Sequence, residues 1–75
     1  MQYLVVIERG PTSFGAYVPD LPGCVAAGST RDEVERQMTD AIAFHIEGLR
    51  DEGLAVPVPR STSLYVDVPL APVVS

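Results

Sequence analysis

Gly15-Ala16-Tyr17-Val18-Pro19-Asp20-Leu21-Pro22-Gly23-Cys24-Val25-Ala26-Ala27-Gly28, followed by Ser29-Thr30-Arg31-Asp32-Glu33, spells out a strand, a rigid reversal, a second strand and the start of a helix. Pro19 and Pro22 cannot donate ladder hydrogen bonds. Pro22-Gly23 suits the two central positions of a type II turn, where the glycine supplies a positive φ. Thr30 and Glu33 make the S/T-x-x-E spacing of a capping box, which satisfies amide groups left without partners at a helix start. Asp32 and Glu33 also complement the positive end of the helix dipole. The block predicts strands at 14–18 and 24–28 and a helix from about residue 31.

Upstream, residues 2–8 place Tyr3, Val5 and Ile7 on one face and Leu4 and Val6 on the other. Their β-branched residues favour the pleated state. Because both faces are apolar, this first strand is expected to be covered on both sides. Arg9-Gly10-Pro11-Thr12-Ser13 has turn composition and connects it to the second strand.

Downstream, Val34, Met38, Ala41, Ile42, His45 and Leu49 recur at spacings of three and four, which puts them on one helix face. Phe44 and Ile46 sit on opposite margins. At about 100° per residue the apolar arc spans roughly 200°, wider than packing on one surface needs, so a second contact is expected. The helix should run to about Glu52, with Gly53 as the C′ residue. Residues 54–63, with Pro57 and Pro59, read as an extended connector. Leu64-Tyr65-Val66-Asp67-Val68 alternates as a last strand that Pro69 ends. The resulting fold class is α+β, in the order β-β-β-α-β, an antiparallel-rich sheet with one helix packed on one face. A single domain over 1–75 is expected, ordered from about 2 to 68, with 69–75 a mobile or partner-contacting tail.

Size bounds what this fold can do. A domain of 75 residues buries only about 60% of the surface its unfolded chain exposes, so its own core is marginal and self-association is a natural supplement. Ten acidic residues oppose five basic ones, for a formal net charge of -5. The five arginines are dispersed, whereas phosphate binding needs clustered cations, so the chain alone is expected to bind no nucleic acid directly. Complementary charge points to a basic protein partner. No signal peptide is visible and no apolar run approaches the roughly 18 residues a membrane helix needs, so a soluble, cytoplasmic protein is expected.

Catalytic chemistry finds little support. One cysteine, Cys24, and one histidine, His45, cannot build a Cys/His metal cage, and no phosphate-loop or dinucleotide motif is present. His45 is expected to be buried and hydrogen-bonded on the helix's apolar face, and Cys24 to be a compact core residue. A metal-dependent nuclease needs several converging carboxylates. The strand-borne acids are only Glu8 and Asp67, with Asp20 in a loop. The chain is read as a non-enzyme with no catalytic residues, no metal and no cofactor.

Seven of the ten acids lie between Arg31 and Glu52, and Glu33, Asp40, Glu47 and Asp51 align within about 40° on the helix. A solvated face explains such charges without a partner, with Arg36 near Asp32 and Asp40 neutralising part of them. The sharper reading is an acidic stripe that docks a basic surface around Phe44, an aromatic anchor between Asp40 and Glu47. The partner-binding candidates are therefore Asp40, Phe44, Glu47 and Asp51, together with Leu4 and Val6 on the second face of the first strand.

The wording of Tyr3-Leu4-Val5-Val6-Ile7-Glu8, of the PDLPGC block at 19–24, of Gly28-Ser29-Thr30-Arg31-Asp32-Glu33-Val34 and of Ala41-Ile42-Ala43-Phe44-His45-Ile46-Glu47-Gly48-Leu49 resembles the HicB-like antitoxin family. The resemblance covers residues 3–64 and implies a partial ribonuclease H-like fold without nuclease carboxylates. It implies an antitoxin that binds and occludes a small basic HicA-like toxin, an mRNA interferase. Relatives often add a C-terminal DNA-binding domain, but only seven residues follow Val68, so none is expected here. The alternative is a stand-alone structural or regulatory protein of the same fold, a homodimer or higher homo-oligomer, without a toxin.

Overall fold

The computed structural model describes residues 1–70. Three strands, β1 (Val6–Arg9), β2 (Phe14–Tyr17) and β3 (Val25–Gly28), precede one long helix, α1 (Arg31–Asp51). The strands form an antiparallel sheet in the order β1-β2-β3.

The β2–β3 reversal forms as its residues dictate. The Cys24 N–H donates to the Leu21 carbonyl at 3.1 Å, with Pro22 and Gly23 between them. Gly23 has φ +85°, a conformation glycine adopts without a Cβ penalty. The α1 start is likewise local. Thr30 is the N-cap, and its hydroxyl accepts from the Glu33 N–H at 3.2 Å. The Glu33 carboxylate reaches one residue past the cap, to the Ser29 N–H at 3.2 Å. At the other end Gly53 (φ +71°) and Leu54 donate to the carbonyls of Arg50 and Leu49, the paired bonds of a Schellman stop.

Register decides which side chains meet. Ile7, Ala16 and Ala26 align across the sheet and face α1, while Val6, Tyr17 and Val25 align on the opposite face. The core is Ala16, Val18, Leu21, Cys24, Val34 and Met38, with Tyr3, Val5, Ile7, Phe14 and Ile42 packed around it. The helix covers one face only. The expected second cover over β1 is not supplied within the described residues, so the Val6–Tyr17–Val25 row looks outward.

The last strand expected at 64–68 is not formed among the described residues. Its alternation is intact, but a strand needs an edge to pair with, and this segment is carried away from the sheet: Leu64 is 83% and Tyr65 99% exposed. Residues 54–63 form the expected connector without helix or strand. Of the expected tail, 69 and 70 are exposed and 71–75 lie outside the described residues. The radius of gyration of 16.0 Å, against about 11 Å for a compact chain of this length, reflects the outlying arm.

Two contacts anchor the connector before the arm departs. The Tyr3 hydroxyl donates to the Pro57 carbonyl. Asp20, on the β2–β3 reversal, accepts from the backbone N–H groups of Arg60 and Ser61 and from the Ser61 hydroxyl, each at 2.8 Å. The N–H groups of Arg60 and then Ser61, with the Ser61 hydroxyl, hold the Asp20 carboxyl below its ordinary pKa. A lowered folded-state value means that the ionised clamp stabilises the fold above the ordinary aspartate range. That contribution is lost as pH falls through the depressed value. A carboxyl-carbon NMR titration is expected to place the Asp20 midpoint below that of an unstructured aspartate, with the Arg60 and Ser61 amide resonances shifting in step. A midpoint at the unstructured value would contradict the clamp.

Candidate partner-binding surface

Helix α1 exposes a ridge that its own sheet leaves uncovered. Val34 and Met38 are buried, and Ala41, Ile42 and Ile46 are half-buried against the core. Phe44, on the margin of this stripe, is 79% exposed. It lines a shallow hollow of about 510 Å³ with Val25, Ala26, Gln37, Asp40 and Ala41, where α1 crosses the outer edge of β3. Val25 is itself 66% exposed. An aromatic and a β-branched side chain thus lie together in water with one carboxylate beside them.

Glu47 and Asp51 line a neighbouring hollow with Met1, Ala43, Ile46 and Arg50, so Arg50 tempers their charge. The structure therefore brings Asp40 to Phe44 and Glu47 to Asp51, along one exposed helix ridge. Glu33, aligned with them in sequence, is otherwise engaged: one oxygen accepts from Ser29 and the other from the Gln37 amide at 3.2 Å. Leu4 and Val6 belong to a different surface. Leu4 lines a hollow with Gln2, Tyr3 and residues 59–62, and Val6 sits opposite Tyr17 on the outer sheet face.

Sequence reading missed Val25 and the Asp20 clamp. Val25 was legible only as a member of a small-residue strand; its place beside Phe44 depends on where α1 crosses the sheet. The partners of Asp20 lie 40 and 41 residues away, a separation at which no local spacing rule operates.

The groups weighed for chemistry do not converge. Cys24 is buried, and desolvation pushes its thiol pKa up, which keeps it protonated and inert. His45, expected inside the core, is half-buried, its ring beside Gly23 at the reversal. Of the weighed acids, Asp20 serves the clamp, Glu8 is exposed on β1 and Asp67 is exposed on the arm. Among the described residues no three or more His, Cys, Asp or Glu side chains cluster to hold a metal ion. No described helix is long and apolar enough to cross a membrane.

This arrangement has relatives. The protein of Haemophilus phage HP1 described as an uncharacterized 14.9 kDa protein is 35% identical over 69 residues, covering 92% of this chain and 52% of its own length. Antitoxin HicB 1 of Photorhabdus laumondii is 33% identical over 75 residues, covering 95% of this chain and 47% of its own. The chain thus spans about half the length of these curated relatives. In the solved HicA3 and HicB3 toxin-antitoxin complex, one chain matches with a TM-score of 0.68 and 35% identity, over 79% of this chain and 70% of that one. The family model for the HicB-like antitoxin of bacterial toxin-antitoxin systems matches residues 3–70. By sequence and by fold, this chain belongs to the HicB-like antitoxin family.

Proposed function

We propose that this chain neutralises a small basic HicA-like toxin by direct contact, using the α1 ridge. The observation that carries the reading is the exposed pair Phe44 and Val25 flanked by Asp40, with Glu47 and Asp51 further along the same helix. An aromatic anchor with one carboxylate beside it and two more along the same helix fits a partner whose surface is cationic. A toxin that cuts RNA must hold phosphates with Lys or Arg, and carboxylates placed against those cations exclude the RNA. Occlusion of this kind calls for no catalytic residue in the antitoxin. The chain therefore acts as a non-enzyme, in the cytoplasm where its toxin meets mRNA. The likeness to a chain of a HicA3 and HicB3 complex supports the partner class.

A second reading rests on the outward row Val6, Tyr17 and Val25: the same fold serving as an oligomeric structural or regulatory protein without a toxin. Charge reversal separates the two. Asp40→Lys with Glu47→Lys is expected to weaken capture of a HicA-like toxin by about 10-fold or more at low salt, chiefly through slower association. The thermal midpoint should stay nearly unchanged, because both side chains are exposed. Calorimetric titration reads the affinity, and equal affinity for both proteins would count against the acidic ridge.

A further inference from the structure

Residues 64–70 have the alternation of a strand but join no sheet among the described residues. Leu64, Val66, Val68 and Leu70 alternate on one side, Tyr65, Asp67 and Pro69 on the other. Every one of them is exposed, Tyr65 by 99% and Val68 by 64%. An isolated run of this composition in water is an unsatisfied strand, and proteins avoid leaving one open.

The same chain carries an acceptor of matching size. Among the described residues β1 pairs with β2 on one side and with no strand on the other, so its outer backbone groups form an open edge. Beside that edge, between β1 and α1, runs a groove of about 410 Å³ lined chiefly by Met1, Tyr3, Val5, Ile7, Met38 and Ile42. A strand laid along β1 would drop alternate side chains into this groove. Ser63 and Pro69 bound an arm of five residues, 64–68, close to the four of β1.

The connector sets where the arm can go. It lies beside Gln2, Tyr3 and Leu4 at residues 59–62 and is pinned at Arg60 and Ser61 by Asp20. Only Thr62 and Ser63 separate the pin from the arm, and the arm is exposed throughout 64–70 and pairs with no strand of its own sheet among the described residues. A short hinge between a pinned segment and an unpaired strand-like one is the usual setting for exchange of an element between identical chains.

We propose that residues 64–68 add as a fourth strand to the free β1 edge of a second copy of this chain, with Leu64, Val66 and Val68 filling its groove, and that the exchange is reciprocal. Donor and acceptor then occur once per chain, and a two-fold dimer satisfies both. The contact is strand addition, in which main-chain hydrogen bonds supply affinity and alternate side chains supply specificity. It uses neither Phe44 nor the acidic ridge, so it stands whether or not a toxin binds there.

Light scattering on the full chain at tens of micromolar is expected to give twice the monomer mass. Val66→Pro, which removes a ladder donor in the middle of the arm, should give the monomer mass with the helical circular dichroism retained. In a mixed sample of isotope-labelled and unlabelled chains, isotope-filtered nuclear Overhauser effects should connect Val66 methyls of one chain with Ile7 of the other. A monomeric full chain, a dimer that survives Val66→Pro, or Overhauser contacts confined within one chain would each overturn the exchange. The second result would assign dimerisation to another face, and the third would close the arm on its own sheet.

Discussion

Leu21→Ala is expected to lower the unfolding free energy by about 2–5 kcal/mol, the range for emptying a buried leucine site. Leu21 is fully buried on the β2–β3 reversal and packs with Val18, Cys24, Val34 and Met38. Its neighbours cannot easily close the cavity. The Leu21 N–H donates to Val18 and its carbonyl accepts from Cys24, so the backbone is held at both ends. At about 0.05–0.15 kcal/mol per residue, a chain of 75 residues has only about 4–11 kcal/mol in total. One core substitution therefore removes a large share of the stability. Urea denaturation followed by circular dichroism measures it, with Phe44→Ala as the control, expected within about 0.5 kcal/mol of the parent because Phe44 is exposed. Equal midpoints for the Leu21 variant and the parent would show that the core does not centre on the reversal.

The same Phe44→Ala change is expected to have its large effect on binding. An aromatic side chain at the centre of a docking surface commonly contributes 2 kcal/mol or more, so affinity for a HicA-like toxin should fall by about 30-fold. Val25→Ser, in the same hollow, should fall in the same direction but by less, since it presents a smaller apolar surface. The contrast between stability and affinity is the point of the pair. A residue that matters to the partner and not to the fold is one that the fold leaves free. Unchanged affinity for Phe44→Ala would move the contact away from this ridge.

The parts of this fold that were legible in the sequence are those specified within a few residues. Pro22-Gly23 fixes its turn through φ alone, Thr30 starts the helix through one side-chain oxygen, and Gly53 stops it through one left-handed residue. Alternation likewise placed Val6 opposite Val5 and Ile7, and the structure packs Tyr3, Val5 and Ile7 on the core while Val6 pairs with Tyr17 on the other face; the regular strand starts only at Val6, and Leu4, before it, shares a hollow with Tyr3. What the local pattern could not supply was a partner. Residues 64–68 have the composition and period of a strand, yet a strand is completed by pairing with an edge elsewhere, and among the described residues none pairs with them.

The candidate surface divides along the same line. Helical spacing put Asp40, Phe44, Glu47 and Asp51 on one ridge, which needs only the angle per residue. It also counted Glu33 with them. In the structure that carboxylate is held by Ser29 and Gln37, because a residue three positions after the cap is within reach of the amides at the helix start. Val25 joins Phe44 through the crossing of α1 over β3, and Asp20 meets Ser61 across 41 residues. Both are consequences of packing, which no spacing along the chain encodes.

The most direct test of whether this surface serves a protein partner is a titration of the purified chain into a HicA-like toxin, ideally one encoded beside it, with cleavage of RNA as the readout. Occlusion predicts that cleavage falls in proportion to the chain added and that a stable complex accompanies the loss, while Asp40→Lys with Glu47→Lys shifts the curve to higher concentration. Undiminished cleavage at excess chain, with no complex formed, would contradict it.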